Sequence, residues 1–276
     1  MVYLKKYFEY IGLLAFALFS FYYTDKVTNM MNSKDPVMVS INEYKEKENT
    51  PCKEGYITND GIVLGRSGRE VNTIESYSNM QGKSFDESLL VFNEVTCKVS
   101  LETAISGYII NANPSKNLVS LFIKIDSLDY FNDIEKVLEE KNTLANIITN
   151  GKTLSENKEY FLSLYNKGYE IVYNGTGVDD YRLYKKELKE MNKNAKVVCM
   201  SISEGDISFC EKEKVLKLKT SYYYNKDILL NTKKNLEKGS FIIYKENKNT
   251  LEEISSAINY INGKKLAIKP ISEALK

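Results

Sequence analysis

Hydrophobic positions fall into three patterns along this chain. Residues 7–23 are apolar almost without interruption, and Glu9 is the one charge between Lys6 and Asp25. As a helix the 18 residues between Lys6 and Asp25 span roughly 27 Å, slightly short of the ~30 Å hydrocarbon core of a bilayer. Residues 24–50 turn polar and charged, as in Asn42-Glu43-Tyr44-Lys45-Glu46-Lys47-Glu48, the pattern of a helical stalk or linker. Between 51 and 115, Gly55, Gly61, Gly65, Gly68 and Gly82 punctuate short apolar runs such as Ile62-Val63-Leu64 and Leu89-Leu90-Val91-Phe92. That spacing predicts a small β-rich region with tight turns.

From Asn117 onward, dense apolar runs alternate with amphipathic stretches. Strands are predicted at 118–125, 144–149, 170–173, 196–200, 216–224, 241–244 and 266–268. Helices are predicted between them. Ser127 caps one that runs to Glu140 with Ile134, Val137 and Leu138 on one face. Ser155 opens the next, and Gly168 sits where a C-terminal cap belongs. Others cover 181–191, 226–236 and 251–261. The alternation predicts an α/β fold with a parallel sheet, closed as a distorted β/α barrel of about seven parallel strands. The domain reading is a cytoplasmic tip and transmembrane anchor at 1–26, a polar stalk at 27–50, a small β-rich extracellular region at 51–116 and the barrel at 117–276.

Charge and composition narrow the function. Lys plus Arg is 38 against 37 Asp plus Glu, so nothing points to a nucleic-acid partner. Lys5 and Lys6 favour an inside N-terminus and an outside C-terminal part, which predicts a single-pass protein of the cell membrane. Tyr7, Phe8, Tyr10, Tyr22 and Tyr23 suit the two interfaces. A small-x-small site, Ala15-Phe16-Ala17, lies inside the apolar run and not after it. That favours an uncleaved anchor over a cleaved signal peptide. The four cysteines permit disulfides in sequence order, Cys52–Cys97 and Cys199–Cys210, or four free thiols.

The chain has no histidine. Ser/His/Asp and Cys/His nucleophile systems are thereby excluded, and the commonest ligand of catalytic zinc is missing. No GxGxxG or P-loop is present. Arg66-Ser67-Gly68-Arg69 reads as a Gly-supported turn with solvated arginines. Asp179-Asp180 reads as helix N-capping and Glu252-Glu253 as a solvated helix face. Tyr222-Tyr223-Tyr224 reads as a strand with alternating burial, and Tyr222 would stack on a sugar ring if exposed.

The order of segments over 117–275 resembles the polysaccharide deacetylase family, the NodB-type carbohydrate esterases. In that family a strand ends in Thr-Phe-Asp-Asp-Gly; here Phe122-Ile123-Lys124-Ile125-Asp126 takes its place. The segment Leu144-Ala145-Asn146-Ile147-Ile148-Thr149-Asn150-Gly151 resembles the Ala-Thr-Phe-Phe-x-x-Gly strand. The Gly-His-Glu-Ile-Gly-Asn-His-x-x-x-His motif aligns with the stretch from Gly168-Tyr169-Glu170-Ile171 to Asn174 and Val178. Gly239-Ser240-Phe241-Ile242-Ile243-Tyr244-Lys245-Glu246 is similar to Gly-Ser-Ile-x-Leu-x-His-Asp. The Arg-Pro-Pro-Tyr-Gly motif has no counterpart in 201–206.

The resemblance implies a distorted β/α barrel and, in active members, a divalent metal held by one Asp and two His, which removes acetyl groups from N-acetylated glycans. The base slot falls here on Lys124, the metal-ligand slots on Ile125, Asn174 and Val178, and the acid slot on Lys245. That set cannot form the cation's ligand triad. The expectation is a membrane-anchored extracellular pseudoenzyme without cofactor or metal, binding a cell-wall glycan or an envelope protein. Asp126, Glu170, Asn174, Glu246 and Tyr222 are the ligand-binding candidates. Lys124, Asn174 and Lys245 are expected to meet at the barrel mouth, with a carboxylate between the lysines. The alternative is a divergent peptidoglycan or chitin-type deacetylase, hydrolysing C–N amide bonds with its metal relocated to Asp126, Glu170 or Glu246.

Overall fold

The computed structural model of the 276-residue chain describes residues 11, 13–22, 34–202 and 207–276. In chain order the elements are α1 (Pro36–Glu48), β1 (Tyr56–Ile57), β2 (Ile62–Val63), β3 (Gly68–Val71), α2 (Thr73–Met80), β4 (Phe92–Val95), β5 (Ile109–Asn111), β6 (Leu118–Lys124), α3 (Phe131–Glu140), β7 (Asn146–Thr149), α4 (Gly151–Glu156), α5 (Lys158–Asn166), β8 (Glu170–Tyr173), α6 (Val178–Met191), β9 (Val198–Ser201), α7 (Ser208–Glu211), β10 (Leu216–Lys219), β11 (Tyr223–Tyr224), α8 (Ile228–Asn235), β12 (Phe241–Lys245), α9 (Lys248–Gly263), β13 (Ala267–Ile268) and α10 (Ile271–Ala274). Residues 11 and 13–22 also carry helical backbone. Among the described residues no helix is long and apolar enough to cross a membrane. The rest of the expected anchor lies outside the described residues.

Internal contacts divide the chain into two compact units, Met1–Pro51 with Gly68–Val95 and Cys52–Ser67 with Thr96–Lys276. In the first, Asp35 caps α1 by accepting from the Val37 N–H at 2.8 Å. The expected polar stalk has an apolar side here. Ile41, with Val37 and Tyr44, packs against Val71, Met80, Tyr77 and Phe85. The antiparallel pair β3–β4 completes this unit.

The second unit is built on a curled, mainly parallel sheet in the order β1-β2-β5-β10-β9-β8-β7-β6-β12-β11, with β13 also pairing β6. Alternation along each strand separates two apolar layers. Phe122, Ile148, Val172, Met200, Leu218, Phe241 and Ile243 come from six different strands and meet in one inner cluster, so the sheet wraps around them. Leu121, Ile123, Ile147, Ile171, Tyr173, Ile242 and Tyr244 face outward, onto Phe131, Ile134, Leu138, Leu154, Tyr184, Leu188 and Ile258 of the helices. An antiparallel bridge, Asn111 to Ser240, brings the end of β5 to the start of β12. At the strands' N-terminal ends α10 packs into the inner cluster through Ile271 and Ala274. Asn146 fastens it there, donating to the Leu121 carbonyl at 3.0 Å and accepting from the Ile271 N–H at 2.9 Å.

Several local readings change. The region 51–116 is not one unit: β2 pairs with β5 and β5 with β10, so this part joins the sheet, while β3, α2 and β4 lie in the first unit. The 216–224 run is two strands. β10 ends at Lys219, the Thr220 hydroxyl donates to the Phe241 carbonyl at 2.8 Å, and β11 pairs with β12. Ser127 does not cap α3, which starts at Phe131 with no side-chain cap. Ser155 lies inside α4, and Asn150 caps that helix by accepting from the Thr153 N–H. Gly168 follows α5 with φ +98°, a conformation that favours glycine.

Candidate functional site

Lys124 and Lys245 end two neighbouring parallel strands and are partners in register. Both strands point them the same way. Ile123 and Tyr244 belong to the outer layer, so the next residue on each strand turns to the inner face, at the C-terminal mouth of the curled sheet. Asp126 lies between them. One carboxylate oxygen pairs with the Lys124 ammonium and the other stands 3.6 Å from the Lys245 ammonium. Lys124 is 6% exposed and Asp126 about half exposed, so a nearly buried cation reaches solvent through its carboxylate.

Glu246 extends the cluster. Its N–H donates to the Lys124 carbonyl at 2.9 Å. Its carboxylate accepts from the Tyr130 N–H and from the Ser127 hydroxyl, the latter at 3.3 Å. Burial pushes the Glu246 carboxyl above its usual range, against the pull of those two hydrogen bonds, and the charges of Asp129 and Asp126 push it further up. Ser127 also donates to Asp129 at 2.9 Å. The sequence marks Ser127-x-Asp129 as a local hydroxyl–carboxylate turn; nothing in it marks Tyr130 as the donor to Glu246.

The other predicted site residues separate. Ile125 faces the helix layer, fully buried among Phe131 and Ile134, so the metal-ligand slot it fills in the resemblance points away from the mouth. Asn174 follows β8 on the inner face, but its amide donates to the Met200 carbonyl at 2.9 Å. Val178 begins α6. Glu170 is at the opposite end: it starts β8 level with Asn146 and Phe122, and its carboxylate accepts from the N–H and hydroxyl of Ser272. It cannot join Asp126 or Glu246 in a ligand set. Tyr222 packs half-buried against the outer core, so its ring is not an open stacking face.

Asp180 and Glu253 act differently from their sequence readings. Asp180 does not cap its own helix. It accepts from the Lys152 N–H at 2.9 Å, at the start of α4, and from the Tyr173 hydroxyl at 3.1 Å. Glu253 accepts from the Leu229 N–H at 2.8 Å, in the first turn of α8. Both carboxylates tie one helix to the start of another.

A divalent cation does not fit the slots that the fold family uses. Ile125 and Val178 have no ligand atom in their side chains, Asn174 offers one neutral amide oxygen, and two ammonium groups occupy the strand ends. Among the described residues one group, Cys52, Glu54 and Cys97, has three potential ligand atoms within reach of one ion. Its two sulfurs are bonded to each other. Cys199 and Cys210 form the second disulfide, with Cα atoms 6.5 Å apart.

No protein-family model matches the sequence, and no curated protein matches it. Solved structures do match the fold. BA3943 from Bacillus anthracis, described as a CE4 family pseudoenzyme, is 18% identical with a TM-score of 0.65, over 88% of this chain and 96% of that one. A BA3943 mutant described as having restored enzymatic activity matches at 17% identity and TM-score 0.65, over 88% and 98%. The Bc1960 peptidoglycan N-acetylglucosamine deacetylase matches at 15% identity and TM-score 0.54, over 61% of this chain and 92% of that one. The chain has the fold of the CE4 polysaccharide deacetylases.

Proposed function

We propose that this chain is a membrane-anchored, extracellular deacetylase-like pseudoenzyme that works by binding a glycan or an envelope protein. The observation that carries the reading is the pairing of Lys124 and Lys245 with Asp126 at the strand ends, where the family's chemistry requires a cation, its ligands and an acid–base pair. An internal ammonium neutralises the carboxylate that a metal would need. Without a metal-bound water of lowered pKa, amide hydrolysis has no activated nucleophile at this position. The likeness to a protein described as a CE4 family pseudoenzyme supports the same reading. The apolar run at 7–23 behind Lys5 and Lys6 supports the anchor and its orientation. Two disulfides support an oxidising compartment for the C-terminal part.

The competing deacetylase with a relocated metal loses Glu170, which lies at the far end of the strands. Metal analysis of the purified chain, with an acetate-release assay on N-acetylated chitooligosaccharides, separates the two readings. The pseudoenzyme reading expects substoichiometric metal and no acetate. Stoichiometric zinc, manganese or nickel together with acetate release overturns it. Titration calorimetry with peptidoglycan fragments and chitooligosaccharides tests the glycan half, and absence of binding at millimolar ligand leaves the protein-interaction half.

A further inference from the structure

Away from the mouth of the sheet, an open cleft lies against α6. Val178, Tyr181, Arg182 and Lys185, spaced along one face of that helix, line a cavity of about 280 Å³ together with Phe209, Lys212 and Glu213. The Phe209 ring is half-buried, and the Lys212 ammonium lies 5.2 Å above it. Arg182 is largely exposed and pairs with Asp179 at 3.3 Å on the same helix. Lys185 is held by both oxygens of Glu213 at 2.8 Å, and Glu213 also accepts from the Tyr181 hydroxyl at 2.8 Å. Lys185 keeps the Glu213 carboxyl below its usual range, so it stays ionised and internally neutralised at neutral pH. Arg182 and Lys212 are left as the outward charges of the cleft. The wall that carries Phe209 and Lys212 is fixed to the sheet by the Cys199–Cys210 disulfide.

A planar guanidinium matches a carboxylate with two parallel hydrogen bonds, and an ammonium adds a point charge. The apolar side chains that line the cleft beside them, Val178 and Phe209, suit the C–H face of a pyranose. We infer that this cleft is a binding site for a carboxylate-bearing sugar chain, held by Arg182 and Lys212 against the apolar lining of Val178 and Phe209. This names a ligand class for the glycan half of the proposed function and rests on that reading.

The test uses the full chain in a non-ionic, sugar-free detergent, titrated calorimetrically with tetragalacturonate and, in parallel, with neutral chitotetraose. Tetragalacturonate is expected to bind about tenfold more tightly, and to weaken as salt rises from about 0.05 to 0.5 M. The R182Q/K212Q double variant is expected to lose the preference, while the charge-matched K136Q/K248Q variant keeps it. Circular dichroism checks that both variants are folded. Equal binding of the two sugars, binding of neither, or full retention by R182Q/K212Q overturns the cleft. Chitotetraose binding lost in Lys124→Met but kept in R182Q/K212Q also overturns it, and moves the glycan to the mouth. Metal content and acetate release are measured separately, so failure of the pseudoenzyme reading is not confused with failure of the cleft.

Discussion

Lys124 and Lys245 stand side by side at the ends of two parallel strands and share one carboxylate, that of Asp126. Two like charges at adjacent strand ends repel, and Lys124 is almost fully buried. Asp126→Asn removes a neutralising charge from both. The expected cost is about 1–3 kcal/mol, between that of an exposed and a buried ion pair. Denaturant midpoints measure it. Adding Lys245→Gln to Asp126→Asn is expected to recover part of the loss; strictly additive effects would show that the two lysines do not sense each other.

Ile125 occupies a metal-ligand slot in the resemblance but faces the helix layer. Ile125→Asp is therefore expected to bury an unpaired carboxylate among Phe131 and Ile134, costing about 3 kcal/mol or more. No gain in zinc affinity should accompany it. A folded variant that binds zinc stoichiometrically would show that residue 125 reaches the mouth.

The Glu246 carboxyl is held above its ordinary value of 4.5 chiefly by burial. Its contribution to stability is present below that ordinary value, where both folded and unfolded chains are protonated. It is lost as pH rises through the raised value, because the unfolded chain releases its proton first. Wild type is expected to lose stability relative to Glu246→Gln between about pH 4.5 and neutrality. Parallel urea midpoints against pH would show this, and flat differences across the window would refute it.

The two disulfides close loops of different length, with sequence separations of 45 and 11. On the chain-entropy account, losing Cys52–Cys97 as a double Ala variant costs about 4 kcal/mol, and losing Cys199–Cys210 about 3 kcal/mol. Guanidinium unfolding of the two variants should preserve that order. The second variant should also loosen Phe209, which proteolysis between β9 and β10 would detect.

Much of the sheet was legible because its strands are short, dense apolar runs. β8 carries the predicted bounds 170–173, and β6, β7, β9 and β12 lie within a residue or two of theirs. Alternation made Lys124 and Lys245 neighbours on one face once the strands were adjacent. What escaped was set by distant partners. Nothing between Lys219 and Tyr223 is a Gly or Pro, so the break into β10 and β11 is visible only in the pairing of β11 with β12. β5 looked like part of a separate region because its parallel partner, β10, lies far along the chain. Ser127 has the chemistry of a cap, yet its hydroxyl is taken by Asp129 and Glu246. Glu170 fell in a motif, but its place at the start of β8 puts it at the wrong end of the strand.

β6 takes β7 on one edge and β12 on the other, with β13 pairing its first residues. Its second edge must therefore wait for about 120 residues more of polypeptide, some 6–25 seconds of synthesis at ordinary elongation rates. Through that interval a buried, apolar strand of the sheet carries an open ladder. Truncations that end before residue 241 should therefore be the ones that aggregate or are degraded.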